Sequence, residues 1–216
     1  RLVRRLEASD NDKCKAIQYA KFSADRGNPN GMCQYGRFLE DGELKNETEA
    51  AHFLKEAADR GIAEAMFAYV SMIQNGDISS YIKDDYDRYC KDALKIFKDE
   101  IGKGHSDATR MYGYMLDHGL GVKVNKKEAV RYYKMAADKG DAIAMNNYAN
   151  KLFEGDGIAK DKREAIRYYK MAADKGDTYA MFNYANKLFE GDGIAEDKRE
   201  AIRYFKMASD KGNAYA

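Results

Sequence analysis

The sequence predicts an all-α fold: a right-handed α/α superhelix, or solenoid, of about five helical hairpins, each about 36 residues long, with a partial repeat at each end. The main observation is an internal duplication, because residues 129–164 and 165–200 agree at 31 of 36 positions without a gap. Stacked two-helix units have repeats of this length. The composition agrees, since one proline, no tryptophan and many Ala, Lys, Glu and Leu residues favour helices.

Older copies of the unit are marked by a recurring glycine, which we call the marker glycine. An alanine precedes each marker glycine by eleven residues, and a tyrosine follows each of the first five by eight residues. Glycine adopts a left-handed conformation just past a helix end at no steric cost, so each marker is predicted to end the second helix of a hairpin. The marker glycines are Gly27, Gly61, Gly104, Gly140, Gly176 and Gly212.

The starts of the second helices are predicted from an Asp or Asn that lies four residues before the recurring alanine. In four of five copies a Glu follows three residues later, which is the pattern of a capping box. The predicted starts are Asp12, Asn46, Asn125, Asp161 and Asp197. After an initial second-type helix, helices are predicted near 30–41, 47–60, 64–75, 85–101, 106–118, 125–139, 142–154, 161–175, 178–190 and 197–211.

The domain organisation follows from these markers. We expect one array over residues 1–216, made of repeats 12–27 (partial), 28–61, 62–104, 105–140, 141–176, 177–212 and 213–216 (partial). The unit 62–104 carries an insertion of seven residues around 77–86, close to two helical turns, so a longer second helix beginning near Asp84 or Asp85 stays in phase.

Charge and cysteine content exclude several classes of function. The net charge of +1 gives no global attraction to nucleic acid or membranes, and no apolar run is long enough to span a bilayer. Three cysteines are too few and too irregular for a disulfide framework or a zinc site, so we expect reduced thiols. We expect a cytoplasmic location, with the lumen of the endoplasmic reticulum as the alternative. We also expect the chain to be part of a longer protein or a larger assembly.

The consensus of the repeat resembles the Sel-one-like repeat, a relative of the tetratricopeptide repeat. The resemblance covers nearly all of residues 12–216. It is carried in one copy by Ala144, Tyr148, Leu152, Gly155, Gly157, Ile158, Asp161, Ala165, Tyr168, Tyr169, Ala172, Ala173 and Gly176. The family implies an α/α superhelix that acts as a protein-interaction scaffold or adaptor. We therefore expect a protein or peptide partner.

The predicted binding site rests on the differences between the duplicated units. Three of their five differences lie at the start of the first helix, while the packing positions are unchanged. By analogy with tetratricopeptide repeats, residues three, six and ten after each marker glycine line a concave groove that binds the partner. We call these the groove positions. They are Asp107, Arg110 and Tyr114, then Ile143, Asn146 and Asn150, then Tyr179, Phe182 and Asn186.

No catalytic, metal or cofactor site is predicted. His52, His105 and His118 fall at unrelated positions of the repeat, and no nucleophile and base have a defined spacing. Two alternatives to a scaffold remain. One is an RNA-binding helical repeat, which needs a basic groove for the phosphates. The other is a β-lactam-hydrolysing repeat protein, although members of that kind carry a cysteine pair in every unit and this chain does not.

Overall fold

A computed structural model describes residues 2–40, 46–78 and 83–211, with side chains from Cys14 onward. These residues form eleven helices and no strand. The helices are α1 (Leu2–Asp25), α2 (Pro29–Glu40), α3 (Glu47–Asp59), α4 (Ala63–Asn75), α5 (Lys83–Gly102), α6 (Ser106–His118), α7 (Lys126–Asp138), α8 (Ala142–Glu154), α9 (Lys162–Asp174), α10 (Thr178–Glu190) and α11 (Lys198–Asp210). The all-α prediction is confirmed.

The helices group into two compact units, residues 1–96 and residues 97–216. In the first unit α2 packs against α1 and α3, and α3 packs against α4. In the second unit three hairpins are formed by α6 with α7, α8 with α9 and α10 with α11. Helix α7 also packs on α8, and α9 on α10, so α7 and α9 each lie between two first helices. A single array over all 216 residues, and its right-handed twist, stay predictions.

The predicted helix limits agree with the structure to within two residues for α2 through α11, apart from residue 41, which lies outside the described residues. The predicted start at Asp12 is wrong, because α1 begins at Leu2 and runs through that residue. Asp12 is followed three residues later by Lys15 rather than Glu, so the capping box is incomplete there. The predicted partial repeat at 213–216 and residues 79–82 of the insertion lie outside the described residues.

The second helices begin as the capping boxes predict. The side chains of Asn46, Asn125, Asp161 and Asp197 each accept a hydrogen bond from the backbone N–H three residues later. The hairpins also need glycine in the connection between their helices. Gly157 has a φ of +77°, and a Cβ built there would lie 2.6 Å from the carbonyl oxygen of Lys126. This glycine therefore lets two neighbouring repeats approach each other closely.

The core is built from small and aromatic side chains that recur in each repeat. The recurring alanines Ala129, Ala165 and Ala201 are fully buried, so the helices cross at short distance. Tyrosine rings of the two helices of a hairpin meet edge to face. The ring centroids of Tyr148 and Tyr168 lie 4.8 Å apart, and those of the corresponding pair in the next repeat lie 4.9 Å apart. Such pairs add about 0.5–1.5 kcal/mol beyond the area they bury.

Polar contacts join successive repeats at equivalent positions. Lys126 Nζ lies 2.8 Å from an oxygen of Asp156, and thirty-six residues later Lys162 Nζ lies 2.5 Å from an oxygen of Asp192. Lys139 Nζ donates to the carbonyl oxygen of Gly104 at 3.0 Å. Paired charges therefore connect successive repeats at equivalent positions, beside the apolar packing.

The thiols of Cys14, Cys33 and Cys90 are all free, and only Cys14 is exposed. Among the described residues, no helix is both long enough and apolar enough to cross a membrane.

Candidate functional site

The nine predicted groove positions all lie on α6, α8 and α10 in the second unit. We call the surface of these three first helices the first-helix face. The side chains of α8 and α10 meet on it, because Asn183 Nδ2 donates to Asn146 Oδ1 at 2.9 Å. The structure therefore places the predicted residues of two successive repeats side by side. Their exposure, however, differs sharply from one groove position to the next.

The side chains at position three are open to solvent. Asp107 has a side-chain exposure of 71%, and the residues Ile143 and Tyr179 are 44% and 56% exposed. Two adjacent repeats thus present an aliphatic and an aromatic side chain where one repeat earlier presents a carboxylate. Exposed apolar side chains on neighbouring helices offer anchor area to a partner.

Position six points inward and is used for contacts within the chain. Arg110 Nε lies 3.0 Å from Asp141 Oδ2, and its Nη2 lies 3.5 Å from Asp107 Oδ1. Asn146 is only 7% exposed. The ring of Phe182 packs edge to face against Phe205, with the centroids 5.6 Å apart. This row positions the helices more than it presents groups to a partner.

Position ten is half-buried in all three repeats. Tyr114 stacks on His118, with ring centroids 3.8 Å apart and an interplanar angle of 17°. Asn150 Oδ1 accepts a hydrogen bond of 2.6 Å from the hydroxyl of Tyr169. Asn186 is also half-buried. In its repeat the position of Tyr169 is taken by Phe205, which has no hydroxyl to donate. The Asn150 carbonyl oxygen is therefore already occupied within the chain.

Two carboxylates that the sequence reasoning missed lie beside the position-three row. Asp141 and Asp177 directly follow a marker glycine and cap α8 and α10, accepting hydrogen bonds from the N–H groups of Ala144 and Ala180. Burial raises the pKa of the Asp177 carboxyl, the Ala180 N–H lowers it, and the negative charge of Asp141 raises it further. The signal that would have found them is their recurrence at the same place in two repeats.

The other end of the first-helix face shows the same lysine position used in two ways. Lys151 lies 2.7 Å from Asp117 and 2.8 Å from Asp156. Burial lowers the pKa of Lys151, but hydrogen bonds to these two carboxylates outweigh it and raise the pKa. In the next repeat Lys187 instead lies over the ring of Phe153, 4.4 Å from its centroid. Both lysines are held by groups of this chain.

The two surfaces of the second unit differ in charge. The first helices and their capping aspartates carry twice as many carboxylates as cations. These are Asp107, Asp117, Asp141, Glu154, Asp177 and Glu190 against Arg110, Lys151 and Lys187. The second helices α7, α9 and α11, counted with their capping residues in the same way, instead carry twelve Lys or Arg and eight Asp or Glu. The first-helix face is acidic, which is unfavourable for phosphate groups.

Some cations of the second helices are paired with a carboxylate on their own helix. Arg167 lies 2.5 Å from Glu164, Lys170 lies 2.7 Å from Asp174, and Arg203 lies 2.6 Å from Glu200. These exposed pairs contribute little to stability. They do lower the positive field that a polyanion would meet on this surface.

The described residues contain no group of three or more His, Cys, Asp or Glu arranged to hold a metal ion. Open surface depressions occur between α1 and α2, near Tyr19 and Phe38, and on α11, near Ile202 and Arg203. Neither depression is lined by a predicted groove residue. The predicted residues lie along a helix face that is exposed at position three and buried or half-buried at positions six and ten.

The repeat sequence and the helical fold are both similar to those of known proteins. A family model described as the Sel1 repeat matches residues 29–62, 106–141, 142–177 and 178–213. A comparison with curated proteins found no match.

Several solved structures are similar. A Sel1 repeat protein from Oxalobacter formigenes is 28% identical with a TM-score of 0.58, and the match covers 96% of this chain and 85% of that one. A sel1 repeat protein from Klebsiella pneumoniae is 15% identical with a TM-score of 0.56, over 92% and 94% of the two chains. A protective antigen of uropathogenic Escherichia coli with an SLR fold is 24% identical with a TM-score of 0.55. That match covers 91% of this chain and 41% of the antigen, so the chain spans about two fifths of the antigen.

Proposed function

Because this chain belongs to the Sel1-repeat family, we propose that it is a non-catalytic scaffold that binds a protein or peptide partner through the first-helix face of residues 97–216. The observation that carries the proposal is the open position-three row. There Ile143 and Tyr179 are exposed apolar side chains on helices that lie side by side. A stacked array presents such a row as one extended surface.

The proposal assigns different roles to the three groove positions. Position three supplies contacts to the partner, because its side chains are the exposed ones. Positions six and ten hold the helices in register through the contacts of Arg110 with Asp141, Asn146 with Asn183 and Asn150 with Tyr169. A rigid surface loses little conformational entropy on binding, which favours affinity.

An RNA-binding role is less favoured by the same charges. A phosphate backbone needs a basic track, whereas the first-helix face is acidic and several second-helix cations are paired with carboxylates. We therefore place the partner among proteins rather than nucleic acids.

The test is affinity capture from lysate of the source cells, compared between the intact chain and matched variants. Replacing Ile143 and Tyr179 together with Ser removes both anchors, and we expect retention of the partner to fall by about tenfold or more. The control is Met135→Ser, because Met135 is 43% exposed on the second helix α7 and matches Ile143 in exposure. Equal loss in both variants, or loss in the control alone, would move the site away from the first-helix face.

A further inference from the structure

Two equivalent carboxylates of successive repeats differ in their ion pairing. Asp141 and Asp177 occupy the same place in successive repeats, each capping a first helix. Asp141 receives the guanidinium of Arg110, which lies 31 residues earlier. The residue 31 positions before Asp177 is Asn146, whose side-chain oxygen instead accepts a hydrogen bond from Asn183. Within the part of the chain that the structure describes, no Lys or Arg forms an ion pair with Asp177, whereas Asp141 is paired with Arg110.

The surroundings of Asp177 disfavour its ionised form, which a nearby positive charge would stabilise. The nearby Asp141 carboxylate raises the pKa of Asp177, while the Ala180 N–H and the guanidinium of Arg110 lower it. That guanidinium is already paired with Asp141 and Asp107. The Asp177 carboxylate accepts a hydrogen bond from the Ala180 N–H at 2.6 Å. A half-buried carboxylate without a cation is less stable than a paired one.

Apolar anchors stand beside this carboxylate on both repeats. Ile143 and Tyr179 each follow a capping aspartate by two residues, so each exposed apolar side chain lies in the first turn of a helix whose cap is acidic. Asp107 adds a third carboxylate in the same row, with a side-chain exposure of 71%. Apolar area and negative charge are thus interleaved along one line of the surface.

We propose that the partner segment bound by the first-helix face is basic and apolar: a Lys or Arg of the partner pairs with Asp177 while an adjacent apolar side chain packs against Ile143 and Tyr179. The proposal rests on the proposed function. In this arrangement the partner supplies at Asp177 the cation that Arg110 supplies at Asp141. Acidic segments are disfavoured, because they would meet the excess of carboxylates on the first-helix face.

The experiment begins with a displayed library of random peptides selected on the intact chain. We expect the enriched peptides to carry Lys or Arg next to an aliphatic or aromatic residue. Their affinities are then measured by fluorescence anisotropy at low and high salt. Asp177→Asn keeps the helix cap but removes the charge, and should weaken binding by about tenfold at low salt. Asn146→Arg should weaken it as well, because it supplies the cation from within the chain.

The matched control is Asp161→Asn. Asp161 caps the second helix α9 in the same way as Asp177 caps α10, but it lies in the connection on the other side of the hairpin. This variant should bind as the wild type does. Far-UV circular dichroism and thermal melting check that all variants fold.

The outcomes separate the two levels of the proposal. Enriched peptides that depend on Ile143 and Tyr179 but carry no cation, or that bind Asp177→Asn unchanged, would overturn the basic partner and leave the proposed function standing. If no peptides are enriched, both the basic partner and the proposed function would be overturned. The same holds if the enriched peptides bind equally well after Ile143 and Tyr179 are replaced with Ser. Capture of RNA rather than peptide by the second helices would do the same.

Discussion

The hydroxyl of Tyr169 donates a 2.6 Å hydrogen bond to the side-chain oxygen of Asn150. Tyr169 is buried, so this bond satisfies the hydroxyl of a side chain that is largely removed from water. The next repeat keeps the asparagine as Asn186 but replaces the tyrosine with Phe205. Two nearly identical repeats thus place the same asparagine in different chemical environments.

Asn150→Ala should lower the free energy of unfolding by about 1–3 kcal/mol, because it leaves the Tyr169 hydroxyl buried without this partner. Asn186→Ala should cost less, since Phe205 has no hydroxyl to satisfy. Urea unfolding followed by circular dichroism measures both. A further Tyr169→Phe change in the Asn150→Ala background should recover part of the loss. Equal costs for the two asparagines would show that the hydrogen bond is not the cause.

Ala165→Leu should destabilise the protein by about 1–3 kcal/mol through overpacking. Ala165 is fully buried where the helices of a hairpin cross, so three added carbon atoms find no space. Lys170→Leu makes a solvent-exposed change on the same helix and is the control. Thermal melting of both variants gives the comparison, and a similar shift in the two would refute the close packing at Ala165.

Gly157→Ala should cost about 1 kcal/mol or more, because Gly157 has a φ of +77° and its missing Cβ faces the backbone of Lys126. Gly102→Ala should have the opposite sign. Gly102 ends α5, has no such φ, and a Cβ there meets no heavy atom within 4 Å. Denaturant unfolding distinguishes them, and stabilisation by Gly157→Ala would contradict the close approach of the two repeats.

At neutral pH, Asp177→Asn should raise the melting temperature by up to about 4 °C. Burial raises the pKa of Asp177 in the folded state, so folding favours the protonated form. The associated stability is present in acid and is lost as the pH rises through that raised pKa. The gain in the variant should therefore disappear as the pH falls below the usual carboxyl range.

Asp161→Asn is the control for this pH dependence, because it changes the same capping group on a second helix. Melting curves of the three proteins from acid to neutral pH provide the measurement. A gain that grows as the pH falls would contradict the assigned sign.

One of the three thiols should react quickly with Ellman's reagent at pH 8, and two should react only when the protein unfolds. Cys14 is exposed, whereas burial raises the pKa of Cys33 and of Cys90 to about 11. The thiolate is the reactive form, so at Cys33 and Cys90 both the lack of access for the reagent and the raised pKa slow the reaction. The Cys14→Ser variant should lose the fast phase, and a fast phase that remained would place another thiol at the surface.

The helix limits could be predicted from sequence because their causes are local. An Asn46 or Asp161 with a Glu three residues later, and a glycine after the last turn, determine where a helix begins and ends. The start of α1 was wrong where that local signal was incomplete, at Asp12.

The availability of the groove residues could not be predicted in the same way. The sequence identifies Asn146 and Asn150 as polar residues on a first helix, but their partners Asn183 and Tyr169 lie 37 and 19 residues away. Only the packed structure shows that these side chains are engaged while Ile143 and Tyr179 stay exposed. The cation missing at Asp177 becomes visible only beside the Arg110–Asp141 pair.

The contacts of Lys126 with Asp156 and of Lys162 with Asp192 bear on how such a gene lengthens. One repeat contains both Asp156, which receives a lysine from the repeat before, and Lys162, which reaches an aspartate in the repeat after. A tandem copy inserted in frame therefore already encodes both residues it needs: the aspartate that pairs with the preceding repeat and the lysine that pairs with the following one. Growth by duplication therefore needs no compensating mutation at the junction, and the copies can then diverge at exposed positions such as Ile143 and Tyr179.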